Sequence, residues 1–503
     1  MIHTRNPQQT ELFDLFESQL SKIAYTRLKK SFHAVFRYII LHLMPVPEIA
    51  ANFHPVMGRP TKELYSMAGL VLLKEFHNWT MEEAVDAYLF DTRVQYALNL
   101  GISHVEFSKR SLQRYQNLLR EDEFAQKIFD DVTNHLITEL ELKVDQQRLD
   151  STHVFSDMAK FGRTKLMGTA ISNFLTQLNR HHQNIYDNLP EELLIRYSKK
   201  IDILFAEFKN DKDKRSLLRQ EVAEEMYQLI KIVDGNKAIE NMTTFKTLVT
   251  VFNQQCELNA DIKVAHMPEE NRDSSDSIVT QDNSANTPSN EHNPVDNESL
   301  KVIIKKAPGA DIIQNPSDLD ATYDGHKGQG YQIQLTETCN PENDVQLIIS
   351  AIPQTAAATD ADAIKLVLDD LRMKDILPNE LLADTLYGGD DNSEDAKKDG
   401  VILVSPVPGK VPQKPPTKIT PKSKRLKSRR EEQETDEWRT KYKKRAQEEG
   451  TIGSIKRKTG MARLRYRGAQ KMFAGMLFKT LGWNISRAHK SAKIQQKMTT
   501  IFG

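Results

Sequence analysis

Leu381-Leu382-Ala383-Asp384 is a short apolar run that ends in a carboxylate, which is typical of a buried β-strand with an acid at its carboxyl end. Residues 401–404 form a second short apolar run. Upstream, residues 330–336 alternate and residues 345–352 are apolar, with turn residues between them, which predicts a hairpin. An amphipathic helix is predicted over residues 361–373. This order predicts an α/β protein with a mixed sheet flanked by helices.

The predicted sheet begins far earlier in the chain. Residues 144–149 read as its first strand, followed by Asp150. Residues 157–255 then return to helical periodicity, and residues 267–299 are rich in Asn, Asp, Ser, Glu and Pro, which is typical of a loosely held linker. A helical module and a linker are therefore predicted between the first strand and the hairpin, and the sequence leaves their role open.

These changes of character divide the chain into seven predicted segments. They are a helical N-terminal domain (1–140), the first segment of the domain that contains the mixed sheet (141–156), a helical insertion (157–266), an acidic and polar linker (267–300), the continuation of the sheet domain (301–405), a Pro- and Lys-rich basic insertion (406–437), and a charged helix with basic C-terminal helices (438–503).

Composition excludes several classes of protein. The formal net charge is zero, so a nucleic-acid surface must come from uneven charge distribution. Two cysteines cannot build a disulfide framework or a cysteine-rich zinc site. The start of the chain lacks an apolar run of signal-peptide length, and the stretch 34–44 is too short to span a bilayer. We therefore expect a cytoplasmic protein without a membrane association.

Basic residues recur on a predicted helix of the N-terminal region. Thr80 and Glu83 form a capping box that marks one helix start. Residues 108–120 form a later helix that carries Lys109, Arg110, Arg114 and Arg120. Short helices with a basic one among them are compatible with a helix-turn-helix DNA reader. An ordinary helical bundle with a solvated face explains the same spacing.

A long charged helix is predicted over residues 431–458. Tyr442, Arg445, Glu449 and Lys456 fall at offsets of 3, 7 and 14 residues, which places them within an arc of roughly 60° on such a helix. This mixture of side chains is not a core face. A solvated ladder of ion pairs and a functional stripe both remain open.

Cleavage of a phosphodiester bond is one reaction that requires such a combination of carboxylate and basic side chains. Two divalent cations about 3.5–4 Å apart activate the attacking oxygen and stabilise the leaving oxygen, and Mg²⁺ prefers carboxylate ligands. Asp150 and Asp384 follow predicted strands, and Glu449 lies on the predicted helix. His153 and His326 are weaker candidates because no His or Cys cluster has ligand spacing. Glu448 is an alternative that points about 100° away from Glu449.

Three ordered groups of residues resemble a known family. The stripe Tyr442-x2-Arg445-x3-Glu449-x6-Lys456 has the Y-x2-R-x3-E-x6-K spacing of a large group of bacterial insertion-sequence transposases of the DDE type. Arg148-Leu149-Asp150-Ser151-Thr152-His153 and Ala383-Asp384-Thr385-Leu386-Tyr387-Gly388 resemble the same group, and so does Thr336-Glu337-Thr338-Cys339. The resemblance covers most of the chain apart from residues 267–299.

The resemblance implies an RNase H-like catalytic domain, with the first aspartate on the first strand, the second on the fourth, and the glutamate on a late helix. It implies that Asp150, Asp384 and Glu449 are the catalytic metal ligands, with Mg²⁺ as the cofactor and Mn²⁺ as a substitute. Tyr442, Arg445 and Lys456 are then expected around the active site and the DNA end. Further DNA-binding residues are expected in the basic tail and the N-terminal helices: Arg465, Arg467, Arg110 and Arg114.

The expected function is DNA transposition. The enzyme would bind the terminal inverted repeats of its element, cleave the ends and join them to target DNA, as a homodimer on DNA and without a small-molecule substrate. The expected location is the bacterial cytoplasm, in association with the nucleoid. Two alternatives stay open: an inactive or domesticated DNA-binding protein derived from a transposase, and a simple RNase H-like nuclease.

Overall fold

The computed structural model describes the chain except for residues 9–13, 101–106, 122, 157, 159–160, 202–211, 259–300, 307–308, 310, 411–419 and 503. The chain forms two compact units, one from Met1–Lys160 with Ile313–Gly503 and one from Phe161–Ile312. The predicted linker, residues 267–300, lies outside the described residues, and so do residues 411–419 of the predicted basic insertion.

The strands of the described residues are, in chain order, β1 Gln146–Ser156, β2 Cys256–Leu258, β3 Val302–Ile304, β4 Thr322–Asp324, β5 Gly328–Thr338, β6 Ile348–Thr355, β7 Glu380–Ala383, β8 Ile402–Val404 and β9 Arg463–Leu464.

A mixed sheet forms the centre of the first unit. Its main order is β6–β5–β1–β7–β8, in which β5 is antiparallel to β1 and β6, while β7 and β8 run parallel to β1. β4 pairs with the start of β5, and β9 pairs with the end of β1. The predicted α/β class with an RNase H-like mixed sheet is confirmed, and so is the predicted hairpin, which is formed by β5 and β6.

β1 is longer than the sequence predicts. The predicted strand stops at Leu149, whereas β1 runs to Ser156. β5 pairs with β1 as far as Val154, and β9 extends the pairing through Phe155 and Ser156. Asp150 therefore lies in the middle of a strand and not near its end, because long-range partners continue the ladder.

The region before β1 is helical, as predicted. Thr80 and Glu83 form the predicted capping box, in which Glu83 N donates to Thr80 Oγ1 at 3.1 Å and Thr80 N donates to Glu83 Oε2 at 2.7 Å. In the helix Leu64–His77, every residue from Ser66 to Phe76 is buried. The helices are α1 Leu15–Gln19, α2 Lys22–Lys29, α3 Phe32–Val35, α4 Val46–Ala50, α5 Leu64–His77, α6 Met81–Phe90, α7 Thr92–Ala97, α8 Lys109–Leu118 and α9 Phe124–Glu139.

The second unit is mainly helical and has its own core. Phe174, Val222 and Leu248 are fully buried in it, and Arg163 Nε donates to Gln255 Oε1 at 2.6 Å. β2 and β3 form an antiparallel pair that the sequence does not predict. The helices are α10 Arg163–His181, α11 Gln183–Tyr186, α12 Glu191–Ser198, α13 Lys212–Val233, α14 Lys237–Glu240 and α15 Thr243–Gln255.

The prediction of one long helix over residues 431–458 is wrong. Thr435 has an extended backbone and its Oγ1 accepts from Trp438 N at 3.2 Å, so it ends one helix and caps the next. A 3-10 turn, Lys443–Arg445, adds a second interruption. The helices after β6 are α16 Asp360–Met373, α17 Asp390–Lys398, α18 Pro421–Gln433, α19 Asp436–Tyr442, α20 Ala446–Thr459, α21 Ala469–Ala488 and α22 Ala492–Phe502. Of the helices described, none combines the length and the apolar character that crossing a membrane requires.

A buried ion cluster joins α5 to segments distant in sequence. Glu75 Oε1 accepts from Tyr466 OH at 2.6 Å, from Gln116 Nε2 at 2.9 Å and from Arg120 Nη2 at 3.1 Å. Lys479 Nζ of α21 donates to the Glu75 carbonyl oxygen at 2.8 Å. The N-terminal helices and the C-terminal helices therefore share one buried polar network around Glu75.

Gly482 allows α21 to approach α5 closely. A Cβ at this position would lie 2.5 Å from Phe76 Cβ, so we expect Gly482→Ala to destabilise the first unit by about 1–3 kcal/mol through overpacking. Urea unfolding followed by tryptophan fluorescence measures this effect. It reports on the first unit because all three tryptophans, Trp79, Trp438 and Trp483, belong to it.

Gly450→Ala is the matched control for this prediction. Gly450 also lies within a helix, but an added Cβ would meet nothing within 4 Å. We expect this substitution to be neutral or to stabilise by up to about 1 kcal/mol, because alanine is the better helix former. Equal effects of the two substitutions would contradict the close helix approach.

Candidate active site

The register of two parallel strands brings two acidic residues side by side. The last pair between β1 and β7 is Leu149 with Ala383, and an aspartate follows each of them directly, Asp150 and Asp384. Neighbouring strands lie about 4.8 Å apart. The sheet therefore brings together two of the three carboxylates that the sequence singles out.

The loop after β7 fixes Asp384. Its Oδ1 accepts from Thr385 N at 2.6 Å, and its carbonyl oxygen accepts from Ser405 Oγ at 2.6 Å. A Cβ at Gly388 would lie 2.0 Å from the Pro406 carbonyl oxygen, so this position requires glycine. The loops that follow β7 and β8 are thus held together, and Asp384 has a defined position at their edge.

Arg445 lies where three carboxylates meet. Its Nη2 is 3.3 Å from Asp150 Oδ2 and 3.7 Å from Asp384 Oδ2, and its Nη1 is 3.7 Å from Glu449 Oε1. The Asp150 side chain is 17% exposed, whereas that of Glu449 is 70% exposed. The site therefore runs from a half-buried aspartate on the sheet to a glutamate at the solvent edge.

Burial changes the protonation of this site. Burial raises the pKa of Asp150 to about 6, although the Arg445 guanidinium opposes the rise. Burial also raises the pKa of Tyr442, which lies beside Arg445 at the end of α19. Trp438 stacks on Tyr442 with ring centroids 4.8 Å apart and packs with it against Cys339, Leu382 and Val404.

The sequence interpretation gave no role to Arg148 and Glu337, although both help to position the site. Arg148 Nε donates to Glu337 Oε2 at 2.9 Å, and both side chains are almost fully buried. Arg148 Nη1 also donates to the Lys444 carbonyl oxygen at 3.0 Å and to Gln447 Oε1 at 3.2 Å. This contact attaches the start of α20 to the sheet. The available signal is that Arg148 lies two residues before Asp150, on the same face of the strand.

The side chain of Glu448 is buried in the protein, whereas the sequence indicated only that it points away from Glu449. It points away from Glu449, as the helical offset predicts, but it points into the protein and is only 1% exposed. Its carboxylate oxygens are both buried without a hydrogen-bond partner. Burial raises the pKa of Glu448 well above its usual range, and the negative charges of Asp150 and Glu337 raise it further.

The carboxylates of Asp150, Asp384 and Glu449 offer the hard oxygen ligands that Mg²⁺ and Mn²⁺ prefer. In the arrangement seen, however, the described residues contain no group of three or more His, Cys, Asp or Glu side chains close enough to hold a metal ion. The Arg445 guanidinium lies between the carboxylates, so metal binding requires this side chain to move. The unpartnered oxygens of Glu448 fit a hard cation.

The histidines weighed as ligands lie elsewhere. His153 Nε2 faces the Gln329 carbonyl oxygen at 3.3 Å, on the face of β1 opposite to Asp150. His326 lies in the turn between β4 and β5, where its backbone N donates to Asp324 Oδ1 at 2.7 Å.

Of the predicted DNA-binding residues, Tyr442 and Arg445 lie at the carboxylates. Lys456 is farther along α20, half-buried near Lys327; burial lowers the pKa of Lys456, and the Lys327 charge lowers it further. Arg465 and Arg467 are exposed just after β9, and Arg110 and Arg114 are exposed on α8.

Residues 422–430, within the basic insertion, form a strongly basic run, but part of its charge is paired inside the protein. Lys422 pairs with Asp391 at 3.1 Å, and Arg425 pairs with Asp390 at 2.6 Å. Arg429 Nη1 donates to the Gly388 carbonyl oxygen at 3.0 Å. Part of this charge is therefore neutralised within the protein and supports the loop after Asp384.

Comparison with known protein families supplies independent information. Residues 410–489 match the family described as "Transposase DDE domain". No curated protein and no solved structure gives a significant match. The matched segment contains Arg445 and Glu449 but neither β1 nor β7. Together with the paired aspartates of the RNase H-like sheet, this match to one segment of the chain supports a transposase of the DDE type.

Proposed function

We propose that the protein binds the terminal inverted repeats of its own insertion sequence, cleaves the element ends by two-metal phosphodiester hydrolysis and joins them to target DNA. The observation that carries this proposal is the meeting of Asp150, Asp384 and Glu449 at Arg445, in a chain with a DDE domain match. The three residues come from two strands and a helix that are up to about three hundred residues apart in sequence.

Asp150, Asp384 and Glu449 are the proposed catalytic metal ligands. Two Mg²⁺ ions, or Mn²⁺ in their place, supply activation of the attacking oxygen and stabilisation of the leaving oxygen. The sheet holds the two aspartates at a fixed separation, and Arg148 holds α20 against them. Arg445, once separated from the carboxylates, is placed to donate to a DNA phosphate beside the scissile bond. Tyr442 borders the same phosphate position.

DNA is the proposed partner, as terminal repeats and as target. Lys456, Arg465 and Arg467 would contact phosphates near the catalytic site, and Arg110 and Arg114 would contact the repeat farther away. Bringing two ends together requires at least a homodimer on DNA. We propose no membrane partner and no small-molecule substrate, and a cytoplasmic, nucleoid-associated location follows from this role.

The test of this function is cleavage of DNA that carries the element's own ends. The parent protein should nick the ends only with Mg²⁺ or Mn²⁺, whereas Asp384→Asn should bind the same DNA without cleaving it. Asp391→Asn is the control, because this nearby carboxylate is 85% exposed and pairs only with Lys422 among the contacts described. Specific binding without cleavage by the parent would favour the alternative, a catalytically inactive or domesticated DNA-binding protein.

The exposed arginines of α8, Arg110 and Arg114, are proposed to contact the phosphates of the terminal repeat. We expect Arg110→Ala and Arg114→Ala each to weaken binding to terminal-repeat DNA and to lower the slope of log affinity against log salt by about 1, because each loses one phosphate contact. Filter binding or fluorescence anisotropy at several salt concentrations measures this slope.

Arg93→Ala is the control for these variants, because Asp91 already pairs with Arg93 at 2.7 Å. If the slope of log affinity against log salt is unchanged for both Arg110→Ala and Arg114→Ala, α8 does not contact DNA phosphates.

A further inference from the structure

Glu448 is an unusual residue for a buried helix face. Both of its carboxylate oxygens are inaccessible and lack a hydrogen-bond partner, although a buried charge without a partner costs several kcal/mol. Its neighbour Glu449 is 70% exposed and faces Arg445. Adjacent glutamates on α20 therefore face inward and outward at the same catalytic centre.

The two cations whose charges act on Glu448, Arg148 and Arg445, direct their side-chain contacts to other groups, although Arg445 Nε is itself buried without a hydrogen-bond partner. Arg148 uses its Nε on Glu337 and its Nη1 on the Lys444 carbonyl oxygen and Gln447. Arg445 is directed to Asp150, Asp384 and Glu449. After burial, the negative charges of Asp150 and Glu337 are what raise the pKa of Glu448 further, so both oppose its ionisation.

This environment does not fit a structural carboxylate. A structural glutamate in a core is paired or hydrogen-bonded, and Glu337 illustrates this, since Arg148 and Thr451 donate to its two oxygens. Glu448 instead keeps both oxygens unused beside a catalytic aspartate. Hard divalent cations bind through such oxygens, and each Mg²⁺ needs about six of them.

We propose that Glu448 is a fourth carboxylate of the metal site and binds a divalent cation together with Asp150, inside the position of Glu449. This inference rests on the proposed two-metal function and extends it. Three carboxylates leave many of the positions around two cations to water and DNA, and an inner glutamate adds one ligand that stays in place before DNA arrives. Glu449 then completes the site from the solvent edge.

The experiment is Mn²⁺ binding to the full chain without DNA, measured by the electron paramagnetic resonance signal of free Mn²⁺. We expect Glu448→Gln to weaken binding by about tenfold or more, comparable with Asp150→Asn; loss of a residue that only supports a ligand already costs about 10–100-fold. Glu448→Asp, which keeps the charge, should bind more tightly than Glu448→Gln. Glu437→Gln is the control, because Glu437 is 82% exposed and lies outside the site.

Thermal unfolding with EDTA separates metal binding from folding. Glu448→Gln should unfold at the parent's temperature or higher, because it removes an unpaired buried carboxyl, and it should lose the stabilisation that Mn²⁺ gives the parent. Parent-like Mn²⁺ binding by Glu448→Gln, with loss only in Asp150→Asn and Glu449→Gln, would overturn this inference and leave the proposed function intact. Absence of Mn²⁺ binding by the parent would count against the proposed function itself.

Discussion

Glu75→Gln is expected to destabilise the first unit by about 3–5 kcal/mol, the cost of removing one partner from a buried ion cluster. Glu75 is fully buried, and its Oε1 pairs with Lys74 at 3.3 Å and Arg120 at 3.1 Å. Glutamine has the same shape but leaves two buried cations without a counter-charge. It also places an amide donor among donors such as Tyr466 OH. Urea unfolding followed by tryptophan fluorescence measures the loss.

Glu48→Gln is the control for this substitution. Its carboxylate is 46% exposed and lies 3.7 Å from Lys127, and an exposed pair of this kind contributes about 0–1 kcal/mol. A similar loss in both variants would show that the cluster around Glu75 does not hold the N-terminal and C-terminal helices together.

The cluster also predicts how stability depends on pH. Although burial raises it, the charges of Lys74 and Arg120 lower the pKa of Glu75 from 4.5 to about 2. A carboxyl with a lowered folded-state pKa stabilises the protein above its unfolded pKa and loses this contribution as the pH falls toward the folded value. The Glu75 carboxyl therefore makes the difference between parent and Glu75→Gln shrink as the pH falls between about 4.5 and 2.

Asp150→Asn is expected to slow end cleavage by a factor of about 10²–10⁴ and, without metal, to stabilise the protein near neutral pH. As a proposed metal ligand, Asp150 contributes several kcal/mol of transition-state stabilisation, and its loss corresponds to a rate lower by about 10²–10⁴-fold. The gain in stability follows because burial raises the pKa of Asp150 from 3.8 to about 6. The ionised carboxylate is therefore less favourable in the folded protein, by about 2–3 kcal/mol at most.

The pH dependence that Asp150 gives to folding stability has the opposite sign to that of Glu75. A carboxyl whose folded-state pKa is raised costs stability as the pH rises from its unfolded to its folded value. In EDTA, the advantage of Asp150→Asn should therefore be full above about pH 6 and fade toward pH 4. With Mn²⁺ this advantage should shrink, because the parent gains more binding energy than the variant. An Asp150→Asn variant that still cleaves the ends would show that the metal ligands are assigned wrongly.

Asp131→Asn is the control for Asp150→Asn. Its carboxylate is 43% exposed, lies outside the site on α9 and pairs with Lys127 at 3.0 Å. We expect unchanged cleavage and little change in stability. If the free energies of unfolding of the two variants change with pH in the same way, the burial of Asp150 does not cause the stability change of Asp150→Asn.

Local sequence patterns predicted elements whose partners are near in the chain. The alternation of residues 330–336 and the turn after Cys339 predicted the hairpin of β5 and β6, and the capping box at Thr80 depends on four successive residues. Such signals succeed because the hydrogen bonds that they describe are local. The single helix over 431–458 was predicted wrongly for the opposite reason. Charge and periodicity outweighed the capping tendency of Thr435, which ends α18 and begins α19.

The sequence by itself determined the chemistry of this protein: acids that adjoin apolar runs, a motif of spaced polar residues and a mixed α/β order. The tertiary structure alone decided which of these groups meet. Only the β1–β7 register places Asp150 next to Asp384, and only the packing of α20 on the sheet buries Glu448 and surrounds Arg445 with three carboxylates. Burial and distance between residues hundreds of positions apart depend on the packing of the whole chain. They set pKa values and ion pairs, which local sequence patterns do not encode.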